Sequence, residues 1–370
     1  MKIGILTFWW SNDNYGQLLQ CYALQKYLDD MGHDAFLIRY KRNDILPNPL
    51  FCKIIKAFNP IELFRHIKFM INKKRTLNCL SRDFNGFRQK YLKLSEIEYD
   101  SYEQMKSNPP NADIYIVGSD QVWNFSNFSV KRYLFPIHAY FLDFGSEKTL
   151  RLSYAASWGV DDITSKLRNV ITPLLSRFDY VSVREEKGID LCKKCGFDKV
   201  EWVCDPTLLL DADTYRKIYK ENKIRKQENK YIFLYMLSAE NELDVSKVWD
   251  FAKTNELAVV YVKGNSKFDG YESFEATIPE WLYLLDNAEY VITNSYHCAV
   301  FSSIFQKHFG VSPVIGKDSG MNTRLDSLFK MLNIDERFIY KNDFSVLFKD
   351  YKPISVQSPK GFLQVIGENR

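Results

Sequence analysis

Several things that a sequence can carry are missing from this one. No apolar run approaches the roughly 18 residues needed to cross a bilayer. The apolar opening MKIGILTFWW breaks off into Ser11-Asn12-Asp13-Asn14, where an export signal would need small residues. An excess of one charge is also missing: 50 basic against 46 acidic side chains leave a net charge of +4, too balanced to point to a nucleic-acid partner. The seven cysteines, at 21, 52, 79, 192, 195, 204 and 298, are odd in number and widely scattered, which argues for reduced thiols rather than a disulfide framework. Cys192-Lys-Lys-Cys195 is a lone CxxC with no second pair nearby, so two cysteines on a surface helix explain it better than zinc or redox chemistry. P-loop GKS/T, GxSxG and HExxH motifs do not occur, which removes several common enzyme classes. There is no internal repeat and no low-complexity tract. The expectation is a cytoplasmic globular protein.

What is present is apolar and aromatic. The chain of 370 residues is 46% hydrophobic and 15% aromatic, ample for large cores. Lys2 to Trp10 is a dense apolar run of the kind that forms a strand buried on both faces. A polar loop follows, then a stretch with no charged residue until Lys26, in which Leu18, Leu19, Tyr22, Leu24, Tyr27 and Leu28 recur at helical spacing. Gly32 stops that helix and DAFLIRY (34–40) supplies the next strand. This β-loop-α-β unit implies a right-handed crossover and a parallel sheet.

The theme repeats at ADIYIVGSDQVWN (112–124), LRLSYAASWG (150–159), FDYVSVREEKG (178–188) and KVEWVCDPTLLL (199–210). After the highly charged 215–231 it restarts with YIFLYML (231–237), LAVVYVKG (257–264), AEYVITN (288–294) and HFGVSP (308–313), separated by helices. Two consecutive Rossmann-like α/β domains fit this alternation, 1–225 and 226–370. The last residues are a candidate for returning to the first domain. Residues 41–110 break the rhythm and read as a basic helical insert. Within it CKIIKAFNPIELFRHIKFMINKKR (52–75) interleaves Lys and Arg with Ile, Phe and Leu. A hairpin packed on the domain with solvated lysines is favoured there, and peripheral contact with the inner face of an anionic membrane is the alternative.

Ligands in such sheets bind beyond the carboxyl ends of the strands, so the strand-end loops hold the candidates. In the first domain these are Asn12, Asp13, Asn14, Tyr15 and Gly16, then Gly118-Ser119-Asp120-Gln121, Ser157 with Gly159, and Arg184 with Glu185. In the second, VITNSYHCAVFSSIF (291–305) has a strand ending at Thr293, with Asn294 or Ser295 as N-cap and His297 in the first helical turn. That position suits an anion, with His297 donating a hydrogen bond or proton, although a partly buried, satisfied histidine is the alternative. Arg184 follows a buried strand and can hold carboxylate or phosphate bidentately, or pair with Glu185 or Glu186. Arg324 opens a helix, where a cation opposes the dipole, which points to a ligand anion or to pairing with Asp326. Asp211-Ala-Asp213 has metal-binding DxD spacing, but helix capping explains both aspartates and no metal is expected.

Taken in order, GILTFWWSNDNYGQLLQCYALQKYL, YIVGSDQVWN, SYAASWG, VSVREEKG, DPTLLLD, VITNSYHCAVFSSIF and NTRLDSLFKMLNI resemble the polysaccharide pyruvyl transferase family over roughly 3–337. The resemblance implies a fold like that of GT-B glycosyltransferases, with two Rossmann-like domains facing across a cleft. It implies transfer of pyruvate from phosphoenolpyruvate, as donor substrate with no further cofactor, to two hydroxyls of a nucleotide- or lipid-linked sugar, giving a cyclic ketal and phosphate. His297 matches the family's NS-aromatic-H position as general acid/base or phosphate contact, and Asp120 the GSD position as hydroxyl-orienting or second acid/base group. Arg184 and Arg324 match donor-binding basic positions. Asn14, Tyr15 and Gln17 are expected to line the opposite wall, with Asn294 and Ser295 beside His297. Where the family usually has glycine after the histidine, this chain has Cys298, either a passive small residue or a thiol activated by the helix start. A nucleotide-sugar glycosyltransferase and a non-catalytic glycan-binding relative remain the competing readings.

Overall fold

The computed structural model describes residues 1–45, 82–125, 129–237, 242–264, 270–315, 322–352, 356 and 359–368. The basic 52–75 stretch lies outside them.

Five parallel strands form the first sheet: β1 (Lys2–Leu6), β2 (Asp34–Tyr40), β3 (Leu94–Tyr99), β4 (Ile114–Val117) and β5 (Leu150–Ser153), in the order β3-β2-β1-β4-β5. The register sets Ile3 between Ala35 and Ile114. Strands β6 (Val181–Val183) and β7 (Val200–Trp202) pair in parallel, and bridges Leu152–Tyr180 and Ala156–Val183 join them to the end of β5. The second sheet holds β8 (Tyr231–Met236), β9 (Ala258–Lys263), β10 (Tyr290–Thr293) and β11 (His308–Val311), also parallel, in the order β11-β10-β8-β9. Every residue of β4 and β8 is buried, as strands covered by helices on both faces must be. The architecture is α/β with parallel sheets throughout.

The charge-free stretch forms the helix Tyr15–Asp30, capped by the Asn14 side chain, which accepts from Gln17 N. Leu18 to Gln25 is an unbroken buried run, because the helix is enclosed by the first sheet, the turn Pro206–Leu209 and the second half of the chain. One expectation needs correcting. The insert expected to be helical over 41–110 contains the edge strand β3, preceded by the helix Phe84–Tyr91 and followed by the helix Tyr102–Ser107. LSEIEY carries three polar residues in six and pairs only with β2, so it lacks the dense apolar run that reveals a central strand.

The two halves meet through specific contacts. Tyr15, at the head of its helix, donates its hydroxyl to Ala276 O at 2.7 Å and stacks on Trp281 with centroids 5.4 Å apart and planes 12° from parallel. Arg216 pairs with Asp286 through Nε at 2.9 Å and Nη2 at 3.1 Å. The C-terminal helix Lys360–Glu368 lies against the first sheet, with Phe362 edge-on to Tyr154. Among the described residues no helix is long and apolar enough to cross a membrane.

Candidate active site

The carboxyl ends of β1, β4, β6 and β10 converge on one buried polar cluster. Its centre is Asp205, a residue that accepts from Thr207 N (3.0 Å) and Thr207 Oγ1 (2.7 Å) as the cap of the turn Pro206–Leu209. The other carboxylate oxygen accepts from Ser119 Oγ at 3.0 Å and from Arg184 Nη1 at 3.0 Å. His297 Nε2, carried by the other half of the chain, approaches the same oxygen at 3.4 Å, close enough for an ion pair without a well-aligned hydrogen bond. Burial alone would push the Asp205 carboxyl up, but the His297 imidazole, then Arg184 and Thr207, hold it well below the usual carboxylate range. Asp205 is therefore an anion at every physiological pH.

His297 sits where the sequence places it, in the first turn of the helix Tyr296–Ile304, whose cap is Ser295 accepting from Cys298 N at 3.3 Å. Its ring packs directly on Gly16: a Cβ at that position would come within 2.3 Å of the imidazole. Glycine is required there because two helix starts, one from each half, touch backbone to side chain. Gly118 is constrained in a different way. Its φ is +114°, and a Cβ would lie 2.2 Å from Tyr154 O. The turn after β4 that presents Ser119 and Asp120 thus has room for glycine alone.

Two further cations share this cluster. The Arg184 guanidinium lies 4.4 Å from the centroid of the Tyr296 ring, and that of Arg324 lies 5.8 Å from the same centroid. Both are buried, Arg184 to 2% and Arg324 to 5% exposure. Arg184 Nε and Nη2 and Arg324 Nε have no hydrogen-bond partner, and among the described residues Arg324 forms no ion pair. Burial, then the neighbouring Arg184 charge, pulls Arg324 down to about 10. Its alternative partner Asp326 is not bonded to it. Asp120, at φ +67°, accepts from Gln121 N at 2.8 Å through Oδ1, which is 3.9 Å from Arg184 Nη2, and its buried Oδ2 has no partner. Glu185 does not pair with Arg184. Its Oε1 accepts from Ser157 Oγ (3.0 Å), Trp158 N (2.7 Å) and Gly159 N (2.9 Å), anchoring the loop after β5.

The structure brings together His297, Asp120, Arg184 and Arg324. It corrects the wall proposed at 14–17 in one respect: Tyr15 is fully buried with its hydroxyl engaged by Ala276 O, so it joins the two halves and presents nothing to a ligand. Asn14 and Gln17 are half-buried at the head of the helix, with the Asn14 oxygen occupied as the cap. Asn294 Oδ1 likewise accepts from Leu237 N at 2.7 Å, tying β10 to the end of β8. The Cys298 thiol is fully buried and burial pushes it up to about 12, the opposite of an activated thiol. Asp211 and Asp213 are a helix cap and an Arg216 partner, and Cys192 and Cys195 are buried rather than on a surface.

A family model described as polysaccharide pyruvyl transferase matches residues 14–311, the segment that carries every residue of this cluster except Arg324. The chain belongs to the polysaccharide pyruvyl transferase family. No curated protein matches it. Among solved structures, the UDP-GlcNAc 2-epimerase of Methanocaldococcus jannaschii in complex with UDP-GlcNAc and UDP superposes with a TM-score of 0.53 at 12% identity, covering 100% of both chains. The UDP-GlcNAc 2-epimerase of Neisseria meningitidis bound to UDP-GlcNAc gives 0.47 at 9% identity over 100% of this chain and 92% of its own. At such identity the likeness concerns the fold, which is GT-B-like. Membership makes the protein a member of a transferase family associated with polysaccharide biosynthesis.

Proposed function

We propose that this pyruvyl transferase family member takes pyruvate from phosphoenolpyruvate and sets it as a cyclic ketal on two hydroxyls of a sugar in a glycan precursor, releasing phosphate. The observation that carries the reading is the pair of buried guanidiniums, Arg184 and Arg324, with unpartnered N–H groups beside His297 and Asp205. Among the described residues Arg324 is a buried cation without a counter-charge, which is costly. Arg184 keeps Nε and Nη2 free of hydrogen bonds beyond its pair with Asp205, so a ligand with both a carboxylate and a phosphate can engage both side chains. Arg184 and Arg324 are assigned the donor's anionic groups.

His297 is assigned the proton transfer. It gives a proton to the donor's methylene carbon, the double-bond electrons form that C–H bond, and C2 becomes an oxocarbenium-like electrophile. Asp205 stays ionised beside the imidazole and stabilises its protonated form. Asp120 accepts the proton of the first attacking hydroxyl. Departure of phosphate with its bonding electrons regenerates the electrophile for the second hydroxyl. Two hydroxyl protons are lost in all: one balances the proton that made the methyl group and the other leaves with phosphate. The proposed setting is the cytoplasm, where phosphoenolpyruvate is made.

The test is phosphate release from phosphoenolpyruvate with a panel of sugar acceptors, run in parallel with His297→Ala. Acceptor-dependent release by the native protein, lost in the variant, is expected. UDP release from a nucleotide sugar instead would make the protein a glycosyltransferase, and glycan binding without turnover would make it a binding protein.

A further inference from the structure

Another arginine without an ion pair among the described residues lies outside this cluster, on the same edge of the first sheet. Arg42 is the second residue past the end of β2, in the left-handed region at φ +56°. Its guanidinium lies 5.3 Å from the ring of Phe8, 5.7 Å from Tyr140 and 5.9 Å from Tyr133. Among the described residues it makes no ion pair and donates no hydrogen bond, and its Nε is buried and unpartnered. The neighbouring carboxylate, Asp44, is engaged by Tyr40 OH at 2.6 Å and Tyr102 N at 2.6 Å. A guanidinium among aromatic rings and without an acceptor among the described residues has N–H groups free for an anion.

The place of this cation in the sheet gives it a use. With the order β2-β1-β4 and strands about 4.8 Å apart, the ends of β2 and β4 are separated by about 10 Å. Arg42 stands at one end of that interval and Asp120, past β4, at the other. The edge is held rigid: Trp9 Nε1 donates to Tyr40 O at 3.2 Å, and Thr7 Oγ1 donates to Ser119 O at 2.9 Å. Between them, past the end of β1, Phe8 and Trp10 meet edge to face with centroids 5.4 Å apart, and Phe8 meets Tyr140 at 5.4 Å and 87°. Trp9, between them in sequence, is buried, whereas Phe8 and Trp10 are only half-buried. Half-buried rings just past the strand ends are suited to the apolar face of a pyranose, with polar groups at the margin fixing its orientation.

We propose that Arg42, with the rings of Phe8 and Trp10, forms an acceptor subsite that takes a glycosyl diphosphate, its phosphate on Arg42 and its sugar over the rings towards Asp120. One pyranose and its anomeric phosphate span the distance available. The inference rests on the pyruvyl-transfer reading for which hydroxyl is modified, but not for binding. Uridine-diphosphate-linked and polyprenyl-diphosphate-linked sugars share this chemistry.

Calorimetric titration of the full chain separates the sources. Three ligand sets are compared: UDP-hexoses, the same hexoses on a short polyprenyl diphosphate, and their methyl glycosides. Arg42→Ala and Arg42→Lys are titrated alongside, with circular dichroism to confirm folding, and Trp10→Ala, which removes a ring and leaves the cation, should also weaken sugar binding. At least one diphosphate-linked series is expected to bind, tenfold or more tighter than its methyl glycoside. Arg42→Ala should lose at least tenfold, Arg42→Lys less, and phosphoenolpyruvate binding should stay within twofold of native. Equal binding of methyl glycosides, native-like binding by Arg42→Ala, or no binding by any series would overturn the proposal. Sugar binding that is intact without phosphate release from phosphoenolpyruvate would overturn the proposed reaction and leave this subsite standing.

Discussion

Replacing Asp205 by asparagine keeps the shape of the cluster's central residue and removes its charge. The asparagine oxygen can still accept from Thr207, but its amide then faces the Arg184 Nη1 donor at 3.0 Å and stands 3.4 Å from His297 Nε2. Removing one member of a buried, hydrogen-bonded charge pair costs about 3–5 kcal/mol. Arg184 keeps the Tyr296 ring and a distant Asp120 contact at 3.9 Å, so the lower end, about 3 kcal/mol, is expected. The sign with pH follows from the depressed Asp205 carboxyl. Its contribution is complete above the unfolded value of 3.8 and is lost as pH falls from there towards the folded value. Urea unfolding of native and variant protein, followed by tryptophan fluorescence, should therefore show the widest gap near neutral pH and a narrowing gap below pH ~4. Turnover should fall by about 100-fold or more, since the imidazole loses its fixed counter-charge. A variant as stable as the native protein at pH 7, or a gap that stays constant down to pH ~3, would refute the assignment of Asp205 as the buried anion.

Steady-state kinetics should separate the other roles: Arg184→Ala raises the KM for phosphoenolpyruvate about tenfold or more, whereas His297→Ala mainly lowers kcat, and equal loss in both parameters for both variants would contradict the division. Gly16→Ala puts a Cβ within 2.3 Å of the His297 ring, so kcat should drop sharply in a folded protein, and native turnover would show that the contact is not maintained. Tyr15→Phe leaves Ala276 O without its 2.7 Å donor and should cost about 1–2 kcal/mol of stability with donor KM unchanged; a KM effect would restore Tyr15 as a ligand contact. Cys298, its thiol pushed up to about 12 by burial, should resist iodoacetamide at pH ~8 until the protein is denatured, as read by mass spectrometry, and rapid native-state labelling would contradict that.

Much of the architecture was legible because buried parallel strands advertise themselves. Lys2 to Leu6, Ile114 to Val117 and Tyr231 to Met236 are dense apolar runs followed by polar turns, and each became a central strand. The edge strand Leu94–Tyr99 was hidden because LSEIEY is neither a dense apolar run nor a strict alternation, since an edge strand need bury only part of its surface. Ser119, Asp120, Arg184 and His297 each stood out at a strand end in the sequence, but the residue that joins them did not. Asp205 caps its own turn at Thr207 and collects Ser119, Arg184 and His297 from three separate segments, and no local pattern encodes such convergence. The available signal was small: an acid three residues past the end of β7 and directly before Pro206. Tyr15 misled because a tyrosine in a polar loop looks like a ligand contact, and only its stacking on Trp281, far along the chain, shows otherwise. The charge-free helix behind it is explained by enclosure on all sides.

The most direct test of pyruvyl transfer at the His297 cluster is nuclear magnetic resonance of the reaction in deuterated water. Phosphoenolpyruvate and an active acceptor should give one phosphate per ketal and a ketal methyl group carrying one deuterium, the mark of protonation at the donor's methylene carbon. Phosphate without a ketal methyl, a methyl group free of deuterium, or an undiminished yield from His297→Ala would contradict the account.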